Sequence, residues 1–70
     1  MELDVRGLSH HERPPLIFSK LAQLRGNEML TLLVEIEPLP MYRMLEQKGY
    51  EARGERQPDG SWRVLIRKKV

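Results

Sequence analysis

Two adjacent histidines, His10 and His11, stand between a glycine turn and a Pro-Pro helix start in the stretch GLSHHERPPLIF. Neutral imidazoles are common metal ligands, and a helix N-terminus favours anions, so a metal or anion site is the first chemistry to weigh. The spacing argues against it. Neighbouring residues of an extended loop point in different directions, so one metal ion accepts at most one of the two. Neither a His-x3-His spacing nor a pair of carboxylates on one helix accompanies them. Glu12 becomes a further ligand only through a particular loop geometry. An exposed loop or a hydrogen bond at the helix entrance is the expectation for His10 and His11.

Three other groups invite the same test. Glu35 and Glu37 bracket Ile36 in an apolar strand, so both point to the face opposite Ile36. Paired carboxylates do acid–base chemistry when their environments differ. Here no histidine, serine or other nucleophile stands at a useful spacing, and the pair reads as a solvated strand edge or as salt-bridge partners of the Arg53–Arg56 region. Arg53, Arg56, Arg63, Arg67, Lys68 and Lys69 outweigh Glu51, Glu55 and Asp59 near the end of the chain. With Tyr50 and Trp62 they suggest a sheet face that stacks and neutralises single-stranded RNA. Trp62, however, shares its strand face with Val64 and Ile66, which assigns it to the core. The alternating Glu/Arg pattern also reads as cross-strand ion pairing. Met41 and Met44, an adaptable contact surface on one reading, are expected to be core filling. No nucleophile–base pair can be assembled, so the chain is expected not to be an enzyme.

Composition narrows the field further. Seventy residues make one domain with a small core. The chain has no cysteine, which excludes disulfides, thiolate metal sites, persulfide carriers and cysteine nucleophiles. Twelve Lys/Arg oppose ten Asp/Glu, a net charge of +2. No apolar run approaches the roughly 20 residues that span a bilayer, and the N-terminus lacks a secretory pattern. A cytoplasmic protein is the expectation.

The elements that must position these residues follow from periodicity. Leu3 and Val5 alternate with Glu2, Asp4 and Arg6 as a short strand. Pro14 and Pro15 open a helix in which Ile17, Leu21 and Leu24 share a face, Arg25 sits in the last turn and Gly26-Asn27 ends it. Leu30, Leu32, Val34 and Ile36 form one face of a central strand. A second helix lies between Pro38/Pro40 and Gly49, with Met41, Met44, Leu45 and Lys48 on one side. A hairpin turning at Asp59-Gly60 closes the chain. The predicted fold is α+β: a βαβαββ two-layer sandwich, its mixed four-stranded sheet carrying two helices on one face. The first two strands run parallel and the final hairpin antiparallel. The other sheet face is left for solvent or a partner.

The strand LDVRGL, the Pro-started helix, the GNE turn and the closing SWRVLIRK resemble the TusA-like (SirA-like) family of small sulfur-transfer proteins. That family's signature is a strand, Gly-Leu, one variable residue, and Cys-Pro-x-Pro at the helix start. Leu3, Asp4, Gly7 and Leu8 match it. The chain is also similar to a Cys-less branch of uncharacterised domains, with Asp4-Val5-Arg6, Glu12-Arg13, Pro15-Leu16-Ile17-Phe18 and Trp62-Arg63-Val64 plus Ile66 in register. The resemblance implies one TusA-like domain over residues 1–70. His10 stands where the persulfide cysteine aligns and His11 where its proline does. An imidazole cannot hold a persulfide, so the resemblance does not extend to sulfur relay. Members of the Cys-less branch often carry a histidine at the position of Ile36, and some carry another at that of Pro14, so a metal or haem role for those histidines does not transfer.

In the family, the loop before the first helix receives sulfur from donor proteins. The resemblance therefore implies a docking surface that outlasts loss of the cysteine, formed by Gly7, His10, His11, Glu12 and Arg13. The expected function is a non-enzymatic binding domain without a cofactor. It would engage a protein partner or small ligand as an accessory or regulatory component of redox or sulfur metabolism. The alternatives are a metal- or haem-associated accessory domain using His10 and His11, and an RNA-binding module.

Overall fold

Strand propensity and period-two burial build the centre of the molecule. In β2 (Leu30–Val34), Leu30, Leu32 and Val34 are buried on one face while Thr31 and Leu33 lie half-exposed on the other. The computed structural model describes residues 1–69, and Val70, the last residue of the expected domain, lies outside the described residues. β1 (Glu2–Asp4), α1 (Arg13–Leu21), β2, α2 (Leu39–Gln47), β3 (Tyr50–Arg56) and β4 (Trp62–Lys68) follow in the expected βαβαββ order. The sheet order is β1-β2-β4-β3, with β1 parallel to β2 and the other two pairings antiparallel. Both crossovers therefore return to the same sheet edge direction. α1 and α2 both start at the end of the sheet where β1 and β2 finish, and they run in the same direction.

The core lies between this sheet and the two helices. Ile17 and Leu21 of α1, Leu45 of α2, and Val64 and Ile66 of β4 are buried against β2. Trp62 and Tyr50 are half-buried on the same side, as expected for Trp62. The sheet's other face has no covering layer among the described residues.

Three local readings are corrected. α1 ends at Leu21 rather than running to Arg25. Beyond it the amides of Gln23 and Leu24 turn to carbonyls three residues back, and the Arg25 amide is taken by the Glu28 side chain at 2.7 Å, so the helical ladder has no donor to continue it. β2 stops at Val34, the last residue paired with β4, because the chain must bend toward Pro38 and Pro40. Ile36 thus leaves the core face and is 72% exposed. Met44, expected to fill the core, is also exposed, while Met41 packs on the core's edge.

Gly54 has a specific packing role. A Cβ there would run into the Tyr42 hydroxyl and come within 3.2 Å of the Trp62 ring and 3.3 Å of Glu37. Its bare backbone lets α2 sit down on β3.

Candidate functional site

The loop between β1 and α1 is held both by its own turns, Leu8 N–H to the Val5 carbonyl and Glu12 N–H to that of Ser9, and by its neighbours. Gly7, at φ 85°, takes a conformation that a side chain would strain, and its N–H donates to Glu35 Oε2 at 3.0 Å. The Arg13 guanidinium pairs with the Glu35 carboxylate at 2.9 Å and donates from Nε to the Leu8 carbonyl at 2.9 Å. Arg13 and the Gly7 amide together lower the Glu35 carboxyl to a pKa of about 2. Asp4, bonded by the Arg6 side chain and amide, is likewise lowered to about 2. Glu35 therefore joins the end of β2 to the start of α1. It does not pair with the Arg53–Arg56 region as the sequence suggested.

Glu37 faces a different way. The Tyr42 hydroxyl donates to Glu37 Oε2 at 3.1 Å. Burial and then this neighbouring carboxylate push the phenol up to about 12, so it remains a proton donor and offers no base near neutrality. The two glutamates have separate partners and serve two structural tasks.

Between α1 and α2 lies an open groove of about 370 Å³. Buried Ile17 and Val34 form its floor, Pro14 and Phe18 the α1 wall, and Pro40, Met41 and Met44 the α2 wall. Ile36 and Pro38 close the end at which both helices begin. Of its twelve lining residues, His10, Arg13 and Glu37 alone are polar, which makes it an apolar trough with a polar rim. Leu39, between the lining residues Pro38 and Pro40 in the chain but outside the lining, is 62% exposed. At the other end the Lys48 ammonium stands 5.6 Å from the centre of the Phe18 ring.

Of the residues singled out in the sequence, His10 and Arg13 reach this groove. Gly7 lies behind it, bonded to Glu35, and His11 and Glu12 are exposed outside the lining. Among the described residues no three His, Cys, Asp or Glu side chains are grouped to hold a metal ion, so His10 and His11 do not fit a closed metal site. Sequence reasoning missed Ile36, Phe18, Met41 and Met44 as one surface. The available signal was an apolar residue between two acids just before Pro-x-Pro, where a strand must already be turning.

The uncovered sheet face mixes half-exposed Leu33 and Leu65 with charged residues, some of them paired. Arg67 meets its register partner Glu51, and Arg53 pairs with Glu55 at 3.1 Å. Arg63, opposite Glu55, keeps a buried Nε without a hydrogen-bond partner. Tyr50 and Trp62, the rings required for base stacking, pack against the core on the opposite side. No helix among the described residues is long and apolar enough to cross a membrane.

Fold and site together define a small α+β sandwich with an apolar groove between its two helix starts. The chain belongs to the DUF2249 family, described as an uncharacterized conserved protein, whose profile matches residues 2–68. No curated protein matches the chain.

Proposed function

We propose that this chain is a non-enzymatic docking domain that receives an apolar segment of a protein partner in the groove between α1 and α2. The supporting observation is the exposed apolar surface of Ile36 and Met44 in that groove, with exposed Leu39 beside its lining residues in the chain. An open trough of this kind favours a macromolecular segment over a small ligand, which a pocket would enclose more fully. The reading extends to descent. A TusA-like sandwich with His10 in place of the persulfide cysteine keeps the partner-facing end of the scaffold and loses the chemistry, consistent with an accessory role in redox or sulfur metabolism. Glu35 and Arg13 are positioning residues here, because they fix the loop that carries His10 to the rim.

In-cell photo-crosslinking tests the proposal. A photoreactive amino acid in place of Leu39 is expected to give a discrete adduct with one partner, and the same group at Arg53 on the sheet face none. Adducts from Arg53 alone, or equal adducts from both sites, would contradict it.

A further inference from the structure

We infer that the groove's occupant is an amphipathic α-helix of the partner with acidic residues at the end of its apolar stripe that meets Lys48. This inference rests on the docking reading and names the partner's chemistry. The backbone argument decides between a helix and an extended segment. A strand laid in the groove needs donors and acceptors for its own N–H and C=O groups. Pro14, Pro38 and Pro40 line the groove and have no N–H to offer, and the sheet edges, β1 and β3, lie away from it. A helix satisfies its backbone internally and presents only side chains. About 370 Å³ suits the few anchors of an i, i+3/i+4, i+7 stripe. Methionine walls also adapt to such anchors.

Charge complementarity sets one flank. Lys48 stands over Phe18 at one end of the groove and joins no ion pair among the described residues. At the other end acids already offset the cations and helix dipoles: Arg13 is paired with Glu35, Glu12 stands at the N-cap of α1, and the Glu37 carboxylate keeps its charge while accepting from Tyr42. An acidic residue of the partner is therefore attracted at the Lys48 end, where a basic one is repelled.

The test is a titration of the isotope-labelled full chain with three synthetic peptides. One is a leucine-striped helix with glutamates at one end, the second has lysines there, and the third is the glutamate peptide broken by two central prolines. The glutamate helix is expected to shift the resonances of Phe18, Ile36 and Met44 and to bind at least ten-fold more tightly than either other peptide. Lys48→Glu should erase or invert the preference, with Lys48→Gln intermediate, and added salt should shrink it. Equal affinity for the two helices overturns the acidic end. Equal binding of the proline-broken peptide makes the occupant an extended segment. Groove shifts on concentrating the protein alone make it a second copy, and saturation by a small apolar dye with no peptide binding makes it a small molecule. The first of these defeats the acidic end alone; the extended segment and the second copy defeat the partner helix while leaving a docking groove; the small molecule, or a groove unmoved by every probe, removes both readings.

Discussion

At the residue scale, the loop that carries His10 depends on one carboxylate. Glu35 accepts from Gly7 and pairs with Arg13, which lowers its pKa from 4.5 to about 2. A carboxylate lowered on folding contributes stability in full above about pH 4.5, and the contribution is lost as the pH falls toward 2. Glu35→Gln should therefore melt at a lower temperature than the parent at neutral pH, and the gap should close between pH 4.5 and 2 in a series of thermal unfolding curves. A gap independent of pH would place the effect elsewhere. Gly54 makes a second test. Gly54→Ala puts a methyl group onto the Tyr42 hydroxyl and should cost about 1–3 kcal/mol, as overpacking does. In a Tyr42→Phe background the clashing oxygen is gone, so the alanine should cost less. A double-mutant cycle by denaturant unfolding measures the difference.

At the element scale, α2 faces two ways. Leu45 is its one fully buried side chain, whereas Met44, its neighbour, opens on the groove and is 38% exposed. Leu45→Ala is expected to cost about 2–5 kcal/mol in urea unfolding. Met44→Ala should stay within about 0.5 kcal/mol of the parent, because it leaves no core cavity. The sequence already distinguished the elements themselves. The period of Leu30, Leu32 and Val34, the Pro-Pro helix start and Asp59-Gly60 each read correctly, because each is a local signal of backbone geometry. The misreadings sit where the chain leaves an element. Ile36 continues the period-two pattern of β2 in sequence, but the pairing with β4 ends at Val34 and the approach to Pro38 bends it outward. That single departure moves Ile36 from the core to the groove and separates Glu35 from Glu37.

At the scale of the whole molecule, the candidate site was legible only in part. His10 and Arg13 mark one rim, and the resemblance pointed to their loop, but the facing wall comes from residues 36–44 and is brought there by the crossover of β2, α2 and β3. No local pattern encodes that meeting. Of the arginines legible as a charge excess, Arg53 and Arg67 pair with neighbouring glutamates on the free face, while the aromatic rings go to the core. The apolar groove is a surface left without a partner inside the chain. Nothing in the fold needs Ile36: it is 72% exposed and lies outside the buried core, so Ile36→Asp should leave the melting temperature unchanged.

The central claim is that this groove serves recognition rather than folding, and the most direct test is the yield of partner adduct from a photoreactive residue at Leu39 in an Ile36→Asp background. The account predicts that the adduct disappears while the protein remains folded and equally abundant. An undiminished adduct in the folded Ile36→Asp protein would contradict it.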